Sequence, residues 1–586
     1  MRKTVLIVLL TLLKPDITIG QYQLESNEDR VKFNSIDKEQ VFIHYNDNFL
    51  LSGEYFYYKM YCLNNKDLSP SKISKIGYVE LINSKGKVIF KHKIGLTNGL
   101  GQGDFFIPVT LNTGHYKLVG YTNWMRNSGV DSYFVGDIAI INPFNELSNE
   151  TNYPSENIIY NSKTDSIELG VISKEKNTTD KILLSKKNYK KLELVTFQIK
   201  NTAISANANI SISVRKKDPI TIPFNKNKSI DLNNNAFNLI TLNNNEAIFL
   251  PELRGELITG KLINKLSKQG VANKNISISI GGDFGVTKIS QTDKNGTFFF
   301  NLVNNNRSNE IIFNLLDNHI DANKIVLDTS NIRTDTFKFK NIGVSKNLNP
   351  ILEKRSVYNQ IENAFFETKL DSLISSISPT PVYNIFDELY NLDDYTRFKT
   401  LEETLIEIID NVLVKKRKGQ YKIQIRENNH YFIDEQAAPL FLVDKILVQN
   451  SSDLFNFNVN KIQNIGISRD EYYIGPRKYQ GIFSIETKEG NYNQLPITKN
   501  SIKFNIDGPL PLKDYYFQEY KESIPTNKSH IADFRQQLLW LPKVNLKENN
   551  LFKFYTSENL GTYEISIEGF TQNGEAISLT EYIYVE

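Results

Sequence analysis

Short apolar runs that alternate with polar residues dominate the first part of the chain. Between residues 41 and 142 they read VFIHY, YFYYKMYC, YVELI, KVIFKHKI, GDFFIPV and HYKLVGYT, separated by Gly, Asn, Asp and Ser. Period-two alternation places successive side chains on opposite faces of a strand, and closely spaced turn residues are typical of a β-sandwich. The pattern predicts an antiparallel β-sandwich over 41–143, with Trp124 buried in it.

Alternation resumes after an Asn-, Ser- and Glu-rich linker at 145–165. The runs LELVTFQIKN and NISISVRKK predict a second β-sandwich over 165–252. A third is predicted over 253–345, where Asp293–Gly296 forms a turn between two strands. The chain returns to strands at its end, and 500–586 is predicted as a C-terminal β-sandwich.

The period of the apolar positions changes from two to that of a helix after residue 346. A helix is predicted from Pro350 to about Ser376, within a helical linker over 346–384. A second helix is predicted after Thr400, because Thr400 and Glu403 have the spacing of a capping box. With the strands that follow it, this helix predicts a small mixed α/β domain over 385–495.

A glycine-rich stretch, NGLGQGDFFIP, occupies 98–108 and places glycines at Gly99, Gly101 and Gly103. A phosphate site would need a helix N-terminus after the glycines, since its free N–H groups and positive dipole end hold the anion. The residues from Phe105 onward read as a strand, and Asp104 stands where the dinucleotide fingerprint needs a glycine. We therefore predict a loop between two strands over 98–104, and no nucleotide site.

Composition describes a globular chain of several domains. The 586 residues are 11% aromatic and 23% charged, and the formal net charge of +3 predicts no nucleic-acid binding. The basic run Lys415–Lys418 is interpreted as a solvated hairpin tip. Trp124 and Trp540 could stack on sugars, but burial in a sandwich is the more common role of such tryptophans.

The first 20 residues predict a secretory signal peptide. Arg2 and Lys3 precede the apolar run Val5–Leu13, and Gly20 supplies a small residue at the expected cleavage point. No later segment reaches the length of apolar sequence that a transmembrane helix needs. We expect an exported protein without a transmembrane segment of its own.

Cysteine and histidine usage predicts neither a disulfide nor a metal site. Cys62 is the only cysteine, and the six histidines show no spacing typical of metal ligands: His44, His92, His115, His319, His430 and His530. We therefore predict no metal and no cofactor.

One cluster of carboxylates could carry acid–base chemistry. Asp393 and Asp394 lie near Arg397, Glu402 and Glu403, and paired carboxylates can act as acid and base if their pKa values differ. The alternative is an acidic turn followed by glutamates at a helix N-terminus, which the helix dipole favours. We favour that alternative and predict no catalytic residues and no enzyme.

The first predicted sandwich resembles the macroglobulin-type domains of large envelope proteins of Bacteroidetes-like bacteria. The resemblance is carried by Tyr45, Gly53, Glu54, Tyr78–Leu81, Gly99–Phe105, Gly114–Leu118 and, most specifically, Tyr121–Asn127. Residues 255–315 are similar to a carboxypeptidase-regulatory-type sandwich, through Gly260–Leu262, Gly270–Val271 and Thr292–Phe298. Despite its name, that module has no catalytic residues.

Residues 385–490 resemble the plug domain of TonB-linked outer-membrane receptors. The matching segments are Pro439–Asp444, Ile462–Ile465 and Gly481–Lys488, while Lys445 departs from the glycine that the pattern favours. Residues 392–398 and the C-terminal strands resemble the segments that flank this plug in macroglobulin–plug fusions. Fewer than about 100 residues follow Lys488, too few for the 22-stranded barrel of a transporter, in which each strand takes ~9–11 residues.

The resemblance implies a mainly β, multidomain binding or scaffold protein of the outer-membrane envelope, associated with the outer membrane on its periplasmic or cell-surface side. We expect an accessory subunit of an outer-membrane assembly, TonB-linked or for export, whose partner is an outer-membrane complex such as a β-barrel protein. Neighbouring sandwiches should cover part of the plug-like sheet and leave an exposed edge or face as the partner site. The alternatives are an envelope hydrolase acting on glycan or peptide and a secreted adhesin, and the ligand stays open.

Overall fold

A computed structural model of the chain describes residues 35–145, 156–160, 181–200, 208–224, 248–282, 285–303, 307–316, 322–328, 332–374, 385–428, 437–490, 492, 501–520, 531–546 and 551–586. The chain divides into two units, Met1–Asp37 and Lys38–Glu586, and every described strand and helix belongs to the second. The predicted signal peptide, residues 1–20, lies outside the described residues. The described part is mainly β with several sheets and few helices, which confirms the predicted fold class.

An N-terminal sandwich opens the second unit. Its strands are β1 (Glu39–Tyr45), β2 (Phe49–Leu51), β3 (Tyr55–Asn64), β4 (Ile76–Asn83), β5 (Val88–Gly95), β6 (Leu100–Phe106), β7 (Gly114–Thr122) and β8 (Phe134–Ile141). They form the sheets β1-β3-β6 and β2-β8-β7-β4-β5. Alternate residues of β3, such as Tyr58 and Met60, belong to the core between the sheets. Trp124 is buried in a 3-10 turn after β7, as predicted.

The prediction of a loop over 98–104 is correct only at its start. Gly99 has a φ of +75° and belongs to a tight turn, but β6 begins at the next residue and contains Gly101 and Gly103. A Cβ at Gly103 would lie 2.6 Å from Cζ of Tyr58, so this glycine makes room for a ring in the core. Phe105 continues the strand, and no helix begins there to bind a phosphate.

The chain continues through β9 (Glu156–Tyr160), β10 (Lys181–Leu184), β11 (Asn188–Tyr189), β12 (Leu194–Lys200), β13 (Ala208–Lys216) and β14 (Ile220–Thr221). The linker predicted over 145–165 is wrong for residues 156–160, because β9 pairs with β14 on one side and with residues 342–344 on the other. These pairings are remote in sequence and leave no local signal.

A middle sandwich follows, built from β15 (Glu256–Asn264), β16 (Asn275–Ile280), β17 (Val286–Gln291), β18 (Thr297–Leu302), β19 (Glu310–Leu315) and β20 (Asn323–Leu327). One sheet has the order β18-β15-β20, and the other has the order β17-β16-β19 with a further strand from 501–505 beside β19. Strands lie on both sides of the Asp293–Gly296 turn, as predicted. Phe298, Phe300 and Phe313 pack together in the core.

The helical segment contains β21 (Ile342–Val344), α1 (Asn349–Ala364) and β22 (Ser372–Leu373). The helix predicted to reach about Ser376 ends at Ala364. Beyond it the chain forms a 3-10 turn, and β22 then pairs with Lys513–Asp514, a non-local contact that overrides the helical pattern. Ser376 itself lies outside the described residues.

The mixed-sheet module, residues 388–487, contains β23 (Glu388–Asn391), α2 (Leu401–Glu407), β24 (Val412–Arg417), β25 (Gln420–Ile425), β26 (Leu440–Val443), β27 (Ile446–Val448), α3 (Ser451–Leu454), β28 (Ile462–Ile474) and β29 (Arg477–Thr487). Its sheet has the order β23-β28-β29-β26-β27, with β26 parallel to β29. Thr400 and Glu403 form the predicted capping box before α2. Residues Lys415–Lys418 lie exposed at the tip of the β24–β25 hairpin, as predicted.

The turn at Lys445, where the sequence departs from the plug pattern, is formed without glycine. Asp444 and Lys445 have φ values of +48° and +68° and make the two-residue turn between β26 and β27. The Asp444 carboxylate accepts hydrogen bonds from the backbone N–H of Thr487 (2.7 Å) and Tyr492 (3.0 Å). These bonds compensate for the less favourable backbone conformation.

The last strands are β30 (Ser501–Asn505), β31 (Lys513–Asp514), β32 (Gln537–Asn545), β33 (Leu551–Tyr555), β34 (Gly561–Thr571) and β35 (Ala576–Val585). Strands β32–β35 combine with β10–β13 into the sheets β10-β12-β33 and β11-β35-β34-β13-β32. We call this the split sandwich, residues 181–216 and 537–585. The segments predicted as separate sandwiches, 165–252 and 500–586, thus share one pair of sheets, because strand pairing does not follow continuity of sequence.

Candidate functional site

The carboxylates singled out in the sequence lie at the surface of the mixed-sheet module. Asp393 forms an ion pair with Arg397, and Asp394 is exposed in the same turn. Glu403 completes the capping box of α2, and Glu402 stands beside it in the first helical turn. These contacts are those of an acidic turn followed by a helix start, the interpretation that the sequence favoured.

Three of the histidines lie in the described part, and each is held by a hydrogen bond. Nδ1 of His44 lies 2.7 Å from a serine hydroxyl, and Nδ1 of His92 lies 2.7 Å from a tyrosine hydroxyl. Nδ1 of His115 accepts the backbone N–H of Lys340, so neutral His115 carries its proton on Nε2 and donates it to Asp137. The remaining three lie outside the described residues: His319, His430 and His530.

Cys62 and both tryptophans are buried. The Cys62 thiol is free within β3, and burial together with the nearby Glu39 carboxylate raises its pKa. Trp124 and Trp540 are each 4% exposed, so neither ring offers an open face for a sugar. Among the described residues, no group of three or more His, Cys, Asp or Glu side chains is arranged to hold a metal ion.

A buried ionic cluster joins the N-terminal sandwich, the split sandwich and α1. Glu54 accepts hydrogen bonds from Arg355 Nε (2.6 Å), Arg215 Nη2 (2.7 Å) and Asn359 Nδ2 (2.9 Å). Arg355 also reaches Asp218 at 2.8 Å. Burial by itself would raise the pKa of Glu54, but the two arginines and the hydrogen bonds lower it to about 2. The cluster fixes three elements against one another.

An aromatic cleft lies beside this cluster. It encloses about 140 Å³, less than the ~300–1,000 Å³ of pockets for drug-sized ligands. Four rings line it in a row, with successive centroids 5.5 to 5.9 Å apart: Phe366, Tyr55, Tyr57 and Trp540. The row begins after α1, runs along one face of β3 and ends in β32.

One side of the cleft carries charge and is formed by the segment after α1 and the residues that follow β31. Asp371 lines the cleft and accepts the backbone N–H of Tyr516 at 3.0 Å. Lys513 Nζ lies 2.9 Å from Asp104 but 3.7 Å from Asp371. Burial, followed by the charges of Asp104 and Asp371, raises the pKa of Tyr55 to about 12.

Sequence reasoning missed this cleft. Its residues come from β3, the end of α1 and the segment after it, the residues that follow β31, and β32; these segments are scattered along the chain and give no motif. The one local signal is in β3, where Tyr55 and Tyr57 alternate with the buried Phe56 and Tyr58. Aromatic residues on both faces of one strand indicate that the second face is also covered or used.

Both faces of the sheet in the mixed-sheet module are covered. On one face, Leu440, Leu442 and Ile482 pack against Ile289 of the middle sandwich. On the other face, α2 packs Leu401 and Leu405 over alternate residues of β26, β28 and β29.

Hydrogen bonds join the same surfaces. Ser279 Oγ accepts from the backbone N–H of Leu447 (3.1 Å), and Thr287 Oγ1 donates to the carbonyl of Lys445 (2.8 Å). The expectation that a neighbouring sandwich covers part of this sheet is met.

One edge of the sheet carries exposed apolar side chains. Strand β23 stands at the end of the strand order and pairs with β28 alone among the described strands. Leu389 in β23 is 61% exposed and Ile385, just before it, is 63% exposed. In the described part of the chain, no helix is both long and apolar enough to cross a membrane.

No protein-family model matches the sequence, and the comparison with curated proteins finds no match. Among solved structures, alpha-2-macroglobulin from Salmonella reacted with methylamine is 9% identical, with 93% of this chain and 23% of that chain covered and a TM-score of 0.15. Alpha-2-macroglobulin from Escherichia coli activated by porcine elastase is 9% identical, with 94% and 44% covered and a TM-score of 0.23.

A tetra-tandem repeat in the extending region of a large adhesion protein is 7% identical, with 94% and 100% covered and a TM-score of 0.13. The chain spans less than a quarter of the length of the Salmonella protein. At these TM-scores the matches carry no functional argument.

Proposed function

We propose that the chain is a non-enzymatic, exported binding or scaffold protein of the outer-membrane envelope. In this role it is an accessory subunit of an outer-membrane assembly, and the mixed-sheet module, which resembles a TonB-receptor plug, is its docking element. The observation that carries the proposal is the exposed edge strand β23 on a sheet whose two faces are already covered.

The covering of the faces limits how a partner can dock. A plug in a receptor is enclosed by the barrel of its own chain, whereas in this chain the middle sandwich and α2 take that place. The edge strand β23 is the part of this sheet that remains open to a partner. Unpaired backbone groups of an edge strand accept a further strand from a partner, and exposed side chains beside them add apolar contact.

The edge also has the composition of an interaction site. Natural proteins protect free edges with charged residues, and Asp387 and Glu388 are of that kind, but Leu389 and Ile385 beside them are exposed. We infer that a strand of an outer-membrane partner covers these two side chains.

The test places a lysine at each of the two positions. The variant Ile385→Lys/Leu389→Lys should lose co-purification with outer-membrane complexes while its melting temperature stays unchanged, because both side chains are exposed in the free chain. Leu266→Lys is the matched control, since Leu266 is 93% exposed on a turn of the middle sandwich. Equal loss in the control, or undiminished association of the edge variant, would contradict the docking role.

Point variants are preferable to deletion of 385–490. That deletion would uncover Ile289 and the other apolar residues that the mixed-sheet module buries on the middle sandwich. Loss of binding would then report misfolding as readily as loss of a partner site.

A further inference from the structure

The side chains of Lys216 and Asn559 lie in contact within the split sandwich. Lys216 is the last residue of β13, and Asn559 lies in the loop between β33 and β34. Nζ of Lys216 donates a hydrogen bond to Oδ1 of Asn559, with 2.8 Å between the two atoms. Because a C=O bond is about 1.2 Å long, the amide carbon of Asn559 lies roughly 3–4 Å from the amine, close to the ~3–3.5 Å at which two atoms are placed to react.

Both side chains are held in position and largely kept from water. Asn559 is fully buried, its backbone N–H donates to Ser557 Oγ (3.3 Å), and its carbonyl accepts from the Tyr563 hydroxyl (2.6 Å). Gly561 leaves room for the lysine chain, because a Cβ there would lie 3.3 Å from Cε of Lys216. The amine and the amide therefore stay within reach of each other, and such fixed proximity lowers the barrier to a reaction between them.

The amide nitrogen of Asn559 is a buried donor without a partner. Nδ2 has no hydrogen-bond acceptor among the described residues. A buried donor that lacks an acceptor costs free energy, and native proteins rarely retain one. Loss of this nitrogen as ammonia would remove the cost. The unpaired Nδ2 and the contact with the lysine are thus two separate observations that point to the same reaction.

The surroundings of Lys216 favour the neutral amine, which is the form that attacks a carbonyl carbon. Burial lowers the pKa of Lys216, although the carboxylate of Asp218 opposes this effect. The positive charges of Lys354 and Arg355 lower the pKa further. Oδ1 of Asp218 lies 3.8 Å from Nζ of Lys216, near enough to take up a proton as the amine reacts.

We propose that Lys216 and Asn559 become joined by an intramolecular isopeptide bond. The lone pair of Nζ adds to Cγ of Asn559, and the carbonyl electrons move to Oδ1. When the carbonyl forms again, the bond between Cγ and Nδ2 breaks, and Nδ2 leaves with its electron pair as ammonia. The proton that Nδ2 gains is the one that Nζ loses, and Asp218 carries it between them. An amine and an amide give a new amide and ammonia, so the step needs no oxidant and no further reactant.

The bond would supply a covalent crosslink in a chain that cannot form an internal disulfide. Cys62 is the only cysteine. The isopeptide bond would connect the two parts of the split sandwich, 181–216 and 537–585, which are far apart in sequence. A crosslink between distant positions restricts the unfolded chain more than the folded one, so it should make the split sandwich more resistant to unfolding.

Peptide mapping of the folded, full chain by mass spectrometry tests the proposal. Trypsin cuts after lysine and arginine, but not after a lysine whose Nζ is part of an amide. The C-terminal peptide 554–586 should therefore carry the dipeptide 216–217, with the summed mass of the two peptides less one ammonia, about 17 Da. Loss of ammonia from 554–586 without the attached dipeptide would indicate a succinimide at Asn559 and would overturn the proposal.

Three variants locate the bond. Lys216→Arg keeps the positive charge but supplies no attacking amine, so trypsin should release 554–586 unmodified. Lys217→Arg is the matched control, because Lys217 is the adjacent residue and pairs with Glu564 instead, and it should keep the joined peptide. Asp218→Asn should leave most chains unjoined, because the group that carries the proton is lost.

Separate peptides from the folded wild-type protein would overturn the proposal, whether or not the variants fold. A joined peptide that persists in Lys216→Arg would overturn the assignment to this lysine. Complete joining in Asp218→Asn would overturn the role given to Asp218.

Discussion

A lysine buried without a counter-charge gives the most direct test of how the N-terminal and split sandwiches pack. Lys59 lies in β3 between Tyr57 and Tyr61, whose rings contact the split sandwich. It is 3% exposed, its Nζ lies 5.9 Å from the centroid of the Tyr61 ring, and among the described residues it forms no ion pair. Burial, with the charge of Lys543, lowers the pKa of Lys59 from 10.5 to about 7. We expect Lys59→Met to stabilise the protein.

The magnitude follows from the two pKa values. The pKa of Lys59 is lower in the folded protein than in the unfolded chain. The whole destabilising effect of the lysine is therefore present below pH 7, and it disappears as the pH rises toward 10.5. At pH 7 the difference corresponds to roughly 4–5 kcal/mol, an upper limit because a long side chain can relax toward water. Methionine keeps an apolar chain of similar length, and we expect a gain of about 2–4 kcal/mol.

The pH dependence distinguishes this mechanism from better packing. Between pH 7 and 9 the free energy of unfolding of the wild-type protein should rise by about 2 kcal/mol relative to that of Lys59→Met. Folding requires Lys59 to release its proton in this range, and the free-energy cost of that release falls as the pH rises. The buried tyrosines have raised pKa values, so this range avoids their titration. Urea denaturation at three pH values, followed by tryptophan fluorescence, gives both quantities.

The matched control is Lys553→Met, at an exposed position of β33, which should change the stability by less than about 0.5 kcal/mol at every pH. A destabilised Lys59→Met protein, or one with the same pH dependence as wild type, would refute the idea that an uncompensated lysine is buried between the sandwiches.

Three further substitutions address the core. Glu54→Gln removes the buried carboxylate that two arginines share and should destabilise by about 3–5 kcal/mol in urea denaturation. The stability that Glu54 contributes should be lost as the pH falls from 4.5 to about 2. Gly103→Ala should lower the stability by about 1–3 kcal/mol, because the methyl group overlaps Tyr58. The Cys62 thiol should stay unreactive to a thiol reagent until urea unfolds the chain, and Cys62→Ser should retain partner binding.

Local signals in the sequence were reliable where the structure they describe is local. The capping box at Thr400 and Glu403 forms as its spacing predicts, since both bonds close within one turn. The apolar run YFYYKMYC located the strand β3 correctly, although β3 is buried continuously from Tyr58 to Leu63 and so shows no alternation there. The end of α1 could not be located, because β22 pairs with residues far along the chain.

Partners of strands could not be predicted from period alone. Alternation marks β12 and β33 as strands, but nothing in either segment indicates that they pair across about 350 intervening residues. The entropic cost of closing a loop grows only slowly with its length, so a large separation in sequence does not exclude a pairing. The aromatic cleft depends on the same non-local pairings, and it was missed for that reason.

Photo-crosslinking from the edge of the mixed-sheet module tests the proposed docking most directly. A photoreactive amino acid at position 389 in the full chain, within the native envelope, should yield one defined crosslink to an outer-membrane protein. The same amino acid at position 266, which is even more open to solvent, should yield none. Crosslinks from 266 but not from 389, or none from either position, would contradict the account.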